Sequence, residues 1–118
     1  MTMQQRPNEI VLHQRGEVTL LDIRGDITAF SEPFLNDAYK SLNAQGARKI
    51  LFNFEEKAYI NSGGIAVLIQ VLMQTRRNGQ TIGITGLSEH FKKVFNMVGI
   101  TKFAAIHPSV DDGLKAMS

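Results

Sequence analysis

Residues 49–77 read KILFNFEEKAYINSGGIAVLIQVLMQTRR, and this stretch decides the fold. The segment Lys49–Phe54 is too short for a helix and mostly apolar, which is typical of a strand covered on both faces. From Ser62 to about Arg77 apolar residues recur at helical spacing, and Ser62 stands where an N-cap is expected. The stretch therefore predicts a central strand, a short loop and a well-defined helix. The predicted apolar face of this helix contains Ile65, Leu68, Ile69, Leu72 and Met73.

The segments on the N-terminal side of this stretch predict a hairpin followed by a helix. Runs rich in Val, Leu and Ile at Glu9–Arg15 and Glu17–Ile23 flank Gly16 and indicate two paired strands. Ser31 is expected to cap the next helix, which should end at Gly46. The apolar residues predicted to face the core from this helix are Phe30, Phe34, Leu35, Ala38, Tyr39 and Leu42.

The C-terminal side predicts two further strand and helix pairs. Thr81–Ile84 is expected to be a strand, and Ser88 should cap a helix that stops at Gly99. A brief strand at Phe103–Ile106 is expected next, and then a short helix capped by Ser109. The predicted inward residues of these two helices are Phe91, Val94, Phe95 and Val98, and then Leu114 and Met117.

Strands that alternate with helices imply right-handed crossovers and a mostly parallel sheet. The predicted fold class is therefore α/β, with a mixed sheet of about five strands and about four helices packed on it. At 118 residues the chain fits one domain. We expect this domain at residues 9–118, after a flexible N-terminus at residues 1–8.

Composition excludes several classes of function. Hydrophobic residues make up 43% of the chain and charged residues 20%, which is ordinary for a soluble globular protein. The net charge of +2 is spread along the chain and gives no basis for binding nucleic acid or an anionic membrane. The absence of cysteine excludes disulfides and thiolate chemistry. Without a signal-peptide core or an apolar run near the roughly 20 residues that span a bilayer, we expect a cytoplasmic protein.

The sequence offers no catalytic or cofactor-binding pattern. His13, His90 and His107 stand far apart and lack metal-ligand spacing. Neither the phosphate-binding loop nor the dinucleotide motif is present, and Ile60 stands where a nucleophile elbow requires glycine. We therefore expect no metal, no cofactor and no enzymatic activity.

Ser62 is the residue with a possible regulatory role. A phosphate there would add about −1.5 to −2 charges near the positive end of a helix dipole, where the fold tolerates them. A protein docked on that surface would meet like-charge repulsion and a desolvation cost. Gly63 and Gly64 are expected to leave open space for such a partner. The alternative is that Ser62 is an ordinary helix cap.

The segment from Phe52 to Ile69, FNFEEKAYINSGGIAVLI, resembles the signature of STAS domains, in which Asp-Ser-Ser/Thr-Gly-Leu opens a helix. The Gly25-Asp26-Ile27-Thr28 turn is similar to the Gly-Glu-Leu-Asp turn of that family. Residues 91–100, FKKVFNMVGI, resemble the family's third helix. These pieces occur in the family's order, and the likeness extends from about Glu9 to Met117.

The resemblance implies an anti-sigma factor antagonist. Such proteins bind an anti-sigma factor that is also a serine kinase, which frees a sigma factor, and phosphorylation abolishes this binding until a serine phosphatase restores it. Three positions differ from the family pattern: Asn61 replaces Asp, Gly63 replaces Ser or Thr, and Thr28 replaces Asp. The alternative is a STAS adaptor subunit of a lipid transporter or stress-sensing complex, and a homodimer is possible. By resemblance the phosphorylated residue is Ser62, and the partner-binding residues are Asp26, Thr28, Asn61, Ser62, Gly63, Gly64 and Ile65.

Overall fold

Five strands form one sheet whose spatial order, β1-β2-β3-β4-β5, is also their order along the chain. The computed structural model describes residues 8–118. β1 and β2 pair antiparallel, and the later neighbours pair parallel. The strands are β1 Glu9–Arg15, β2 Val18–Arg24, β3 Lys49–Phe54, β4 Thr81–Thr85 and β5 Ala105–Ile106, and the helices are α1 Glu32–Ala44, α2 Ser62–Arg77, α3 Glu89–Met97 and α4 Val110–Met117. Two short 3-10 helices lie at Ala29–Ser31 and Ile100–Lys102.

The two faces of the sheet are covered unequally. On one face the main core packs α1, α2 and α3 against alternate residues of the parallel strands, among them the fully buried Ile50 and Phe52. On the other face a smaller cluster joins Leu51 of β3 to Met117 of α4. β3 therefore contributes buried side chains to both layers, as expected for a central strand. The predicted α/β fold with a mixed five-strand sheet and four helices is confirmed.

Several details differ from the prediction. Phe103 does not belong to the last strand, because a 3-10 helix and a turn occupy residues 100–103. Phe30, Phe34, Met73 and Val98 were predicted to face the core but are exposed. In α2 Leu68 and Leu72 are buried as predicted, and the buried face also includes Gly64, Val67, Val71 and Thr75, which were not predicted.

The hairpin and the ends of the helices follow local sequence signals. Gly99 has a φ of 84°, a left-handed conformation that favours glycine, and it follows α3 as predicted. Of the predicted flexible segment, residues 1–7 lie outside the described residues. Asn8 donates side-chain hydrogen bonds to the carbonyl oxygens of Arg24 and Asp26. Among residues 8–118, no helix is long and apolar enough to cross a membrane.

Candidate functional site

The N-terminus of α2 is capped by Asn61. Its side-chain oxygen accepts a hydrogen bond of 2.8 Å from the Gly64 N–H, and its extended backbone conformation is that of an N-cap. Ser62, predicted as the cap, is the first residue of the helix instead. Asn and Ser are both favourable N-cap residues, so the sequence alone does not distinguish Asn61 from Ser62. The contacts of Asn61 in the folded chain decide that it is the cap.

The β3–α2 loop is joined to the turn that follows β2 by a short parallel bridge. The N–H of Ile27 donates to the Tyr59 carbonyl at 2.9 Å, and the N–H of Asn61 donates to the Ile27 carbonyl at 3.1 Å. Ile27 and Ile60 are both buried at this bridge. The bridge fixes the position of Asn61, and the cap then fixes the first turn of α2.

Two carboxylates reinforce this junction from opposite sides. Asp26 in the turn accepts a hydrogen bond of 2.9 Å from the Tyr59 N–H of the loop. Glu55 in the loop accepts one of 2.8 Å from the Gly25 N–H of the turn. Asp26 was predicted to contact a partner, and its observed contact orders the loop before Ser62. The contact of Glu55 with the turn was not predicted from the sequence.

Ser62 is exposed at the first position of α2. The N–H groups of the first helical turn have no partner within the helix. The Asn61 side chain accepts a hydrogen bond from the Gly64 N–H. The N–H groups of Ser62 and Gly63 remain available at the start of the helix. An accessible hydroxyl therefore lies beside backbone donors and the positive end of a 16-residue helix.

Gly63 and Gly64 do not leave the open space that was predicted. A Cβ at Gly63 would lie 3.1 Å from both the Cβ and the N of Ala29. A Cβ at Gly64 would overlap the Ile27 carbonyl group, which is backbone and cannot rotate away. The two glycines allow the 3-10 helix and the Ile27 turn to pack directly on α2. Gly64 is buried, Ile65 is half-buried, and the surface that remains for a partner is carried by neighbouring residues.

Thr28 caps the 3-10 helix in place of the family's Asp. Its hydroxyl oxygen accepts from the Phe30 N–H at 3.1 Å, while the Ser31 hydroxyl oxygen accepts from the Thr28 N–H at 3.0 Å. This reciprocal arrangement is a capping box. Ser31 was predicted to cap α1 directly, but it makes no side-chain cap there and is buried within the turn. Thr28 thus caps the 3-10 helix without carrying a charge.

Two exposed aromatic side chains flank this junction. Phe30 is 70% exposed on the 3-10 helix that packs against α2, and Tyr59 is 61% exposed on the loop. Tyr59 meets Phe91 of α3 edge to face, with ring centroids 5.9 Å apart. Sequence reasoning placed Phe30 in the core because its spacing fits the α1 stripe, and it did not consider Tyr59. We call Phe30, Tyr59 and Ser62 the switch surface.

The residues beside Phe91 form a small polar cluster at the start of α3. Lys92 donates a hydrogen bond of 2.8 Å to Glu89. This bond and the positive charge of Lys92 hold the pKa of Glu89 below its ordinary value. Both groups are near the surface, so the pair contributes little to stability. The lowered pKa favours the ionised form of Glu89. This residue lies near the N-terminus of α3, where negative charge is favourable.

The structure assembles no metal centre from the residues it describes. No group of three or more His, Asp and Glu side chains in residues 8–118 is close enough to hold a metal ion. His90 packs against the Phe91 ring, and His107 lies near Gly83 under α4, so the two histidines lie on different faces of the sheet. Among the groups that the junction at α2 exposes is the Ser62 hydroxyl.

The fold and this junction define a family. The family model of the STAS domain matches residues 9–113, which is most of the chain. The chain belongs to the STAS domain family.

Curated relatives carry a consistent description. The anti-sigma-B factor antagonist of Bacillus subtilis strain 168 is 23% identical over 95 residues, covering 80% of this chain and 86% of that protein. The anti-sigma-B factor antagonist of Staphylococcus aureus strain NCTC 8325 is 23% identical over 78 residues, covering 66% of this chain and 72% of that protein.

Solved structures support the fold independently of sequence. An anti-sigma factor antagonist from Mycobacterium paratuberculosis superposes with a TM-score of 0.78 at 16% identity, covering 93% of each chain. The Bacillus cell fate determinant SpoIIAA in its phosphorylated form gives a TM-score of 0.69 at 15% identity, covering 93% of this chain and 100% of that one. At these identities the likeness shows the fold alone.

Proposed function

We propose that this chain is an anti-sigma factor antagonist. In this proposal the switch surface binds an anti-sigma factor that is also a serine kinase, and the bound kinase releases its sigma factor. Phosphorylation of Ser62 ends the binding, and a serine phosphatase restores it. The chain acts in the cytoplasm as a substrate of these enzymes and has no catalytic activity or direct contact with nucleic acid.

The observation that carries the proposal is the placement of Ser62. Its hydroxyl is exposed at the start of a helix whose first turn is fixed from outside by the Ile27 bridge and the Asn61 cap. A kinase needs an accessible acceptor, and a binding switch needs that acceptor within the docking surface. The exposed rings of Phe30 and Tyr59 provide the apolar area on which such a partner can dock.

The electrostatics of the junction favour a switch that alters binding without unfolding the chain. A phosphate on Ser62 would stand beside the backbone donors of the first turn of α2, and the helix dipole stabilises negative charge there. Asn61 caps the helix without a charge, so the phosphate does not face a carboxylate at the preceding position. The cost of the added charge is therefore expected mainly in the complex, where it would be desolvated.

The departures from the family pattern are compatible with this mechanism. Thr28 and Asn61 keep the capping hydrogen bonds that Asp would make. Gly63 contacts Ala29 and removes a second hydroxyl next to Ser62. Phosphate on this loop is therefore expected on Ser62 alone.

The proposal is tested by incubating the chain with ATP and each anti-sigma serine kinase encoded in its source genome. We expect one phosphate, mapped to Ser62 by peptide mass spectrometry, and none on the Ser62→Ala variant. Protein purified from the native host should carry the same modification in part. A chain that none of these kinases binds or modifies would instead fit the adaptor role in another assembly.

Phe30 is expected to contribute to docking and not to folding. Truncation to Ala removes an exposed ring, so the free energy of unfolding should change by less than about 0.5 kcal/mol. Affinity for the kinase should fall about tenfold, because buried aromatic side chains dominate protein interfaces. Titration calorimetry measures the affinity, and Met97→Ala, which removes another exposed apolar side chain at the far end of α3, is the control. Equal affinity of Phe30→Ala and wild-type protein would remove Phe30 from the docking surface.

A further inference from the structure

Among residues 8–118, β1 is one of the two edge strands of the sheet and is longer than β5, the other edge strand. β1 pairs only with β2 among residues 8–118, and it spans seven residues. An edge of this length presents a row of unpaired backbone groups that can accept another strand. The orientation of the backbone decides which groups these are.

The hairpin turn fixes that orientation. Arg15 and Val18 close a two-residue turn, and the closing pair of such a hairpin exchanges backbone hydrogen bonds. Because the bonding direction alternates along a strand, Ile10, Leu12 and Gln14 direct their N–H and C=O groups away from β2. These three residues offer the hydrogen bonds of the open edge.

The sequence of β1 is complementary to itself when two copies run antiparallel about Leu12. All seven residues then find a partner, with Leu12 opposite Leu12 and Ile10 opposite Gln14 as the hydrogen-bonded pairs. Glu9 of each copy lies opposite Arg15 of the other, and both residues are exposed. Shifting the centre to Val11 or His13 leaves residues unpaired and separates Glu9 from Arg15. The backbone direction permits this register, and the match of Glu9 with Arg15 selects it among the registers that the backbone permits.

We propose that a second copy of this chain pairs with β1 in this register to form a symmetric dimer with one continuous sheet. The charge match at both ends and the outward hydrogen-bonding groups between them identify the occupant of the edge as β1 itself.

The surface beside the edge supports this arrangement. Ile10 and Leu12 are only partly buried, and with Phe34 and Ala38 of α1 they line a shallow groove along the edge, whose lining also includes the polar residues Asn8, Asp37 and Ser41. Phe34 is 38% exposed there, although its spacing predicted a core position. Two-fold pairing of β1 brings the α1 helices of both copies to the same face, where they cover the grooves. The dimer thus accounts for apolar area that one chain leaves open.

The dimer leaves the switch surfaces free and does not depend on the proposed function. Ser62 lies at the end of the sheet where the parallel strands finish, and antiparallel pairing directs these ends in opposite directions. Each dimer would therefore present two separate switch surfaces. Ser62→Asp should leave dimerisation unchanged, so failure of the dimer would not count against the anti-sigma role.

The test uses two charge variants and their mixture. A short edge interface of this kind predicts a dissociation constant of about 10–100 μM, measured by sedimentation velocity over a concentration series. Glu9→Lys alone places Lys opposite Arg15, and Arg15→Glu alone places two Glu opposite each other. Each variant should weaken self-association at least about tenfold. An equimolar mixture places both opposite-charge pairs correctly and should regain the wild-type dissociation constant.

Thermal melting of each variant provides the folding control. It is needed because Glu9 also lies opposite Arg24 where β1 pairs with β2 in the same chain. Recovery in the mixture additionally shows that both variants are folded. Wild-type protein that stays monomeric at about 1 mM would overturn the proposal. Variants that dimerise as well as wild type, or a mixture that does not recover, would also overturn it.

Discussion

Replacement of Ser62 by Asp is expected to weaken binding of the anti-sigma serine kinase by about 100-fold, which corresponds to about 2.7 kcal/mol. The carboxylate adds a charge at the centre of the switch surface, where the complex would desolvate it. In the free chain the same charge stands at the start of α2, where the helix dipole stabilises it. Fold stability should therefore stay at or slightly above that of wild type. Titration calorimetry gives the affinity and thermal melting gives the stability.

Two matched variants separate the charge from other effects. Ser62→Ala removes the hydroxyl without adding charge and should bind within about threefold of wild type. Ser109→Asp adds the same charge at the N-cap of α4, on the opposite face of the sheet, and should leave binding unchanged. If Ser62→Ala and Ser62→Asp bound the kinase equally, charge at this position would not control the complex.

Gly64→Ala should lower the free energy of unfolding by about 3 kcal/mol, with a fall in Tm of roughly 10 °C. Helix propensity alone would raise the free energy of unfolding, since Ala is favoured over Gly by about 1 kcal/mol within a helix. The loss arises because the new methyl group overlaps the Ile27 carbonyl group, which the bridge to Asn61 holds in place. Urea denaturation followed by circular dichroism measures the change.

Gly63→Ala is the control for this prediction. Its methyl group would lie 3.1 Å from Ala29, a tight contact that a small shift of the 3-10 helix relieves. The cost of this tight contact and the gain in helix propensity from Gly to Ala should nearly cancel. The free energy of unfolding should therefore change by less than about 1 kcal/mol. A Gly64→Ala protein as stable as wild type would mean that the turn and α2 are not rigidly packed.

The elements of this fold follow from periodic patterns, whereas the junction at Ser62 depends on contacts between distant segments. The bounds of β1 and β3 were predicted to the residue, because Gly16 and a short apolar run mark them, whereas β2 is Val18–Arg24 and not the predicted Glu17–Ile23. The choice of Asn61 over Ser62 as the cap depends on the Ile27 carbonyl, which lies 34 positions earlier in the chain. Local sequence carries no signal for that bond.

Side-chain exposure near the switch surface was also beyond pattern analysis. Phe30 fits the helical spacing of α1, but the capping box at Thr28 forms a separate 3-10 helix and turns the ring outward. Turn signals such as Gly25-Asp26 indicate where the chain reverses, and they do not specify which side chains the reversal exposes. The glycines at 63 and 64 were visible in sequence, but the backbone that approaches them was not.

The order of strands in the sheet has a consequence for how the chain is made on the ribosome. Each strand pairs with the one synthesised just before it, so every pairing surface already exists when its partner emerges. The β1–β2 hairpin is the first pair available, and each crossover helix is translated before the strand that follows it. α4 is synthesised after all five strands and closes the smaller core over Leu51 and Gly83. Growth of this domain from the N-terminus thus requires no strand to be inserted between two others.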